Sequence, residues 1–240
     1  MLTQITGSGY KSLQKSTAKF AHFTVIVGRN NVGKSNLFDA LSLLSHLAQM
    51  PIASAFKPEL HRGDPLESFF SEYDLRTTIA CEFDLSHTPD PFYPSRSLSH
   101  PLLNYEIEIA FRAGRLEVDS ETLEGRTATA KRTRKFISPG KDRSGETRVS
   151  LSRDMAKAGK VRQFRFPSTR SILTMIDDAE LYPHVVALTR ELSSWRFFHF
   201  EPDALREPSP AMDVLELESS GRGLSGFYDT LKSREPERFC

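Results

Sequence analysis

The chain has 240 residues, of which 38% are hydrophobic and 26% charged, with a formal net charge of +1. That length holds one large globular domain or two small ones. No run approaches the ~20 apolar residues of a membrane span. The N-terminus MLTQITGSGYKSLQ has no apolar stretch suited to a signal peptide, and Cys81 and Cys240 make no disulfide framework. A cytoplasmic protein with no membrane association is therefore expected. The charge is uneven: residues 126–170 carry 14 Lys/Arg against 3 Asp/Glu, a local +11 that leaves −10 for the remainder. This predicts a basic arm or insertion on a mildly acidic body.

In chain order, Ile5, Tyr10, Leu13 and Phe20, separated by glycines and polar residues, predict an edge strand or hairpin over residues 1–22. Phe23 to Val27 is a dense apolar run with β-branched residues and predicts a buried strand. Gly28-Arg29-Asn30-Asn31-Val32-Gly33-Lys34-Ser35 then matches G-x-x-x-x-G-K-[ST] in full. From Asn36, the residues Leu37, Phe38, Ala40, Leu41, Leu43, Leu44 and Leu47 recur at helical spacing. The chemistry follows from residue type. Gly28 and Gly33 let the backbone turn tightly and present N–H groups to an anion, and the helix dipole adds to that attraction. Lys34 supplies a point charge for β- and γ-phosphates, and the Ser35 hydroxyl is placed to ligate Mg²⁺.

Pro51 and Pro58 interrupt the next stretch, so residues 50–75, including HRGDPLESFF, predict a loop with a short helical piece. TTIACEFDLS (77–86) reads as a strand, and four prolines place 87–101 in a surface loop. NYEIEIAFR (104–112) alternates strictly, turns at Ala113-Gly114, and returns through Leu116 and Val118. These strands predict an antiparallel β-layer over 77–123. Residues 124–170 predict a basic hairpin, with Phe136-Ile137 and Val149 to Leu151 as strand cores and Ser138-Pro139-Gly140 and Ser144-Gly145 as turns. VRQFRF (161–166) interleaves basic with apolar residues. Lys131, Arg132, Arg134, Lys135, Arg162 and Arg165 are the candidates for gripping a DNA or RNA backbone. A solvated face, or a docking face for an acidic partner, is the competing reading.

Residues 179–194 predict an amphipathic helix and Trp195 to Phe200 a buried or half-buried strand, in which His199 is structural. A rigid loop spans Pro202 to Pro210, a short strand Val214 to Leu217, and a last helix opens at Gly221 to Gly223, with Leu224, Phe227, Tyr228 and Leu231 on one face. Two further patterns mimic catalytic motifs. Ile172 to Asp178 looks like a Walker B strand but has Asp where Glu is required, and Leu224-Ser-Gly-Phe227 looks like an ABC signature without its second glycine.

Asn-Val-Gly-Lys-Ser is also the loop wording of Era-like GTPases. Those need Asn-Lys-x-Asp, which is absent, and an early Asp-x-x-Gly; the one present, Asp142 to Gly145, lies in the basic segment. The chain more closely resembles RecF/SMC-type (ABC-like) P-loop ATPases, in particular RecF-like predicted AAA-family ATPases. The likeness runs through YKSL (10–13) and VGRNNVGKSNLFDAL (27–41). It extends more weakly to HRGD (61–64), SSWRFFHFEPDALREPSP (193–210) and GRGLSGFYDTL (221–231). It implies an α/β P-loop NTPase lobe, ABC/SMC-head-like, with an added antiparallel β-layer and a basic β-insertion. That single lobe would be divided into a nucleotide-binding part (1–50), the layer (77–123), the insertion (124–170) and a return to the core (171–240). It also implies ATP and Mg²⁺ as cofactors, Lys34 as the catalytic cation, and residues 28–36 as the nucleotide site, with Asn36, Lys11 and Ser12 added by the resemblance alone. In the family two heads sandwich ATP, so a homodimer, or a partner chain supplying a C-terminal lobe with the signature and Walker B strand, is expected. This chain by itself is expected to bind nucleotide with little or no hydrolysis. The alternatives are a nucleic-acid-binding module in which nucleotide only switches shape, and the GTPase.

Overall fold

The computed structural model describes residues 1–61, 76–129, 132–141, 143–144, 146–153, 162–209 and 214–239. The chain forms two compact units, Met1–Ser194 and Trp195–Cys240. The first is built on one eight-stranded antiparallel sheet in the order β2-β1-β3-β4-β5-β6-β7-β8. Its strands are β1 (Leu2–Ser8), β2 (Ser16–Lys19), β3 (Arg76–Asp84), β4 (Leu102–Arg112), β5 (Arg115–Arg126), β6 (Arg134–Lys141), β7 (Thr147–Leu151) and β8 (Arg162–Arg165). Among the described residues, the α-helices of the same unit are α1 (Lys34–Leu47), α2 (Ile52–Ala55) and α3 (Pro183–Ser193).

Alternation decides which face is covered. On β3 and β4 the residues Thr77, Ile79, Cys81, Phe83, Leu103, Tyr105, Ile107 and Ile109 are buried. Their neighbours Glu82, Asn104 and Glu106 point the other way. One irregularity adjusts the pattern: the register shifts after Glu108–Ser120, so that Ile109 faces Val118. This bulge lets Val118 and Glu121, three residues apart, both turn inward. The helices cover the inner face. The row Asp39, Leu43, Leu47 of α1 is buried, and α3 buries His184, Val185, Leu188 and Leu192. Each large apolar side chain so enclosed contributes roughly 1.5–3 kcal/mol. The Ser45 hydroxyl donates to the Leu192 carbonyl at 2.8 Å, tying α1 to α3. The His184 ring stacks on Phe136 at 3.9 Å, tying α3 to β6.

Several local expectations are corrected. Phe23 to Val27 is in no strand; Phe23 and Val27 are both 84% exposed. An apolar run becomes a buried strand only if another strand pairs with it, and among the described residues none does. Phe38, expected on the inner face of α1, is 50% exposed. Ser138-Pro139-Gly140 is not a turn but the outer half of β6. That half extends past the β5 pairing, which covers only Arg134 to Ile137, so proline sits where the strand has a single neighbour. The expected hairpin is present, β6 and β7 pairing antiparallel with Ile137 opposite Leu151, and with β8 it continues the same sheet. Arg62 to Leu75, with most of HRGDPLESFF, and Asp142 and Gly145 lie outside the described residues.

In the second unit, residues 195–200 form no strand, and Phe198 and Phe200 are about half exposed. His199 is exposed; its N–H donates to the Ser219 carbonyl at 2.7 Å. The expected rigid loop begins as a short helix, α4 (Pro202–Arg206), because proline at the first helical position needs no N–H. Val214 to Leu217 is irregular. α5 (Leu224–Arg234) starts after Gly223 in the left-handed region at φ 79°. Only Thr230 of α5 is buried, and Leu224 and Tyr228 stay exposed. Gly226, rather than an apolar stripe, makes the close approach, with its N–H donating to Ser209 Oγ at 3.0 Å.

Candidate functional site

The loop 28–33 leads into α1 through two left-handed residues, Asn31 at φ 64° and Gly33 at φ 91°. Asparagine tolerates that region better than other side chains, and glycine has no penalty there. A Cβ on Gly33 would lie 2.9 Å from Ser12 Oγ, and one on Gly28 would lie 3.1 Å from Val32. A Cβ at either position would require a neighbouring side chain to shift, and Gly33 needs glycine for its dihedral. Gly33 caps α1 without a side-chain hydrogen bond, and the first turn carries no acidic residue. The opening N–H groups of α1 thus have no side-chain cap, and the positive dipole end is unneutralised.

Lys34 is folded back over the loop. Its Nζ donates to the Gly28 carbonyl at 2.6 Å and the Arg29 carbonyl at 2.5 Å. The ammonium is therefore held above the loop backbone. An anion bound there would meet it together with the N–H groups of the helix end. Ser35, one residue on, is exposed. The donor set suits a magnesium ion in part: Ser35 offers one hard oxygen, and phosphate oxygens and water would complete an octahedron. Among the described residues no group of three His, Cys, Asp or Glu is placed to hold a metal.

Ser12 reaches the loop from the turn after β1. Its hydroxyl accepts from Asn36 Nδ2 at 2.7 Å and lies against Gly33. Lys11 Nζ forms an ion pair with Asp39 Oδ2 at 2.5 Å. Asp39 is the functional-looking residue that motif reading passes over. It is 6% exposed and also accepts from the Tyr10 hydroxyl at 2.5 Å and bonds His61 Nδ1 at 3.0 Å. Burial alone would raise its pKa. The hydrogen bonds from His61, Lys11 and Tyr10 outweigh that and hold the carboxyl well below its ordinary range. The signal was present in the sequence: Asp39 stands one and two helical turns before Leu43 and Leu47, on the row that goes inward.

The two look-alike motifs resolve plainly. Ile172–Thr174 is a 3-10 turn, not a strand, and Asp177 and Asp178 are exposed. Leu224-Ser225-Gly226-Phe227 opens α5. A second buried carboxylate, Glu121, binds the first of these segments. It accepts from Ser171 Oγ at 2.8 Å, the Ile172 N–H at 2.7 Å and the Tyr105 hydroxyl at 2.9 Å.

The basic candidates divide. Arg134 and Lys135 lie on β6. The Arg134 guanidinium sits over Phe136 at 5.6 Å and donates to the Arg153 carbonyl at 2.7 Å. Lys135 pairs with Glu124 at 3.4 Å. Arg162 and Arg165 are exposed on β8, with Arg162 over Phe164 at 5.0 Å. Arg132 is exposed, and Lys131 lies outside the described residues. The sheet adds Arg148, which stands directly across from Arg165 in the β7–β8 pairing. Like charges in that position are unfavourable, and Glu146 offsets this in part by pairing with Arg148 at 3.3 Å.

Comparison with known proteins agrees with the phosphate loop. Residues 1–180 match the family model described as an AAA ATPase domain. Curated protein sequences give no match. Among solved structures, a chain from work on ATP-driven dimerization and DNA-stimulated activation of SMC ATPases is similar, with 21% identity over 53% of this chain and 72% of its own length at a TM-score of 0.34. With three quarters of its length matched by that family model and a complete phosphate loop in the matched part, the chain belongs to the AAA ATPase domain family.

Proposed function

We propose that this chain is the nucleotide-binding lobe of a RecF/SMC-type ATPase, in which residues 28–36 cradle the phosphates of MgATP, Lys34 neutralises the β- and γ-phosphates, and Ser35 gives the metal its one protein oxygen. The observation that carries this reading is the lysine folded onto the Gly28 and Arg29 carbonyls at the uncapped start of α1. Catalysis in such a site is positioning and charge neutralisation. No water-activating carboxylate accompanies the loop among the described residues. Hydrolysis therefore belongs to an assembly in which a second copy, or a partner chain, supplies the Walker B strand and signature. The exposed run Phe23 to Val27 is the surface on which such a strand would pair. Titration calorimetry on the full chain tests the site. ATP should bind in preference to GTP. Lys34→Ala should weaken binding at least ~100-fold, a loss of about 2.8 kcal/mol. Unchanged affinity in that variant rejects the site, and preference for GTP rejects the family reading in favour of a GTPase.

A second role, binding of a nucleic-acid backbone, is favoured by the cross-strand pair Arg148–Arg165 of β7 and β8. A phosphate there would compete with Glu146 for Arg148 and make charge-assisted contacts to both guanidiniums. Replacing both with alanine should weaken duplex DNA binding and lower the slope of log K against log salt by ~0.9, the contribution of the one phosphate they share. A gel-shift titration at several salt concentrations measures this; an unchanged slope removes these arginines from the argument.

A further inference from the structure

The turn Tyr10–Leu13 is held in an unfavourable shape. Lys11 has φ 49°, the left-handed region in which a lysine backbone is strained. A close backbone bond, Leu13 N–H to the Tyr10 carbonyl at 2.8 Å, closes the turn. Leu13 is buried and lies against Gly7, where a Cβ would come within 3.2 Å of it. Two consecutive side chains of this turn, Tyr10 and Lys11, both end on the same oxygen, Oδ2 of Asp39. Asp39 thus grips the strained residue and the one before it. Its other oxygen holds His61, whose side chain is fully enclosed and whose Nε2 faces the Ala55 carbonyl at 2.6 Å. Oxygen acceptors thus face both nitrogens of the ring. The charged or titratable groups around it are Tyr10 and Lys11 from the turn, and Asp39 and His46 from α1; the Phe56 ring packs beside it. One carboxylate is therefore shared by a phenol and an ammonium from the turn and by the His61 ring.

The consequence is at the loop. The residue that the clamped turn presents is Ser12, which is exposed, bonded to Asn36 and seated against Gly33. We propose that Asp39 is a positioning residue for the nucleotide site, fixing the Tyr10–Leu13 turn through Tyr10 and Lys11 so that Ser12 sets the end of the phosphate loop. The inference rests on the ATP-site reading above and deepens it. Lys11 acts through Asp39 and not as a phosphate ligand, and His61 holds the other carboxylate oxygen inside the fold.

The experiment is a double-mutant cycle on the full chain, with Asp39→Asn and Ser12→Ala separately and together. MgATP affinity is read by calorimetry and the thermal midpoint is read in parallel. Asp39→Asn and Ser12→Ala should each weaken MgATP binding about tenfold or more. The double variant should be no weaker than the poorer single one, because both changes break one device. A merely structural Asp39 would lower the midpoint but leave the two effects on affinity independent; multiplying losses, or an unchanged affinity in either single variant, overturns the proposal. Lys11→Met, which removes only the ion pair and keeps the aliphatic stem, takes the place of Asp39→Asn if that variant does not fold, with the same coupling to Ser12 expected. If the parent chain itself binds no MgATP, the ATP-site reading falls and this inference with it. If the parent binds and the cycle is additive, only the positioning role is lost.

Discussion

At the residue scale, the two buried carboxylates behave oppositely because their donors differ. Asp39 meets an ammonium and an imidazole and stays ionised. Glu121 meets only neutral donors, and burial, opposed by bonds from Ile172, Ser171 and Tyr105, pushes its carboxyl up to about 7 from an ordinary 4.5. Between those two pH values the folded chain keeps a proton that the unfolded chain releases. Its contribution to stability is therefore fully present below pH 4.5 and is lost as pH rises to about 7. At 1.36 kcal/mol per pKa unit the loss is about 3 kcal/mol. Urea denaturation across this range should show the fall in the parent protein and a flatter profile in Glu121→Gln; parallel profiles would assign the pH dependence elsewhere. This site was illegible in the sequence. Glu121 sits in a run that alternates like a solvated strand, and only the bulge opposite Glu108–Ile109 turns it inward.

At the element scale, local rules named the helices and strands well where burial and pairing were both supplied within the unit. α1 starts at Lys34, directly after the glycine that the motif requires. β3, β4 and β5 fall on the alternating runs, joined by the Ala113-Gly114 turn. The failures have one physical cause. Phe23 to Val27, Trp195 to Phe200 and Val214 to Leu217 all have strand composition, but composition expresses a preference for packing on a pleated surface and cannot provide the neighbour. Hydrogen exchange makes this measurable. Amides of residues 23–27 should exchange quickly in the isolated chain, and those of β4, paired on both sides, should be among the slowest. Strong protection at 23–27 in the monomer would show that a partner strand is present after all. Protection appearing only with a second chain would identify the pairing surface.

At the scale of the whole molecule, charge and topology are coupled. The outer face of the sheet carries Glu82, Glu106 and Glu124 on β3 to β5 and Arg148 and Arg165 on β7 and β8. Antiparallel order thus lays the acidic body and the basic segment side by side along one surface. The net charge of +1 conceals that separation, and the charge count of residues 126–170 exposes it without locating it. The phosphate loop was determined by sequence alone, because its requirements are local: glycine where a Cβ would collide or φ must be positive, a lysine that reaches back over its own loop, and a helix that follows. Whether the flanking apolar run pairs, which sheet the basic strands join, and that Tyr10, Lys11 and His61 converge on Asp39 were decided only by tertiary structure. Each depends on groups tens of residues apart, whose meeting is set by strand order and register and by which face of a helix the core accepts.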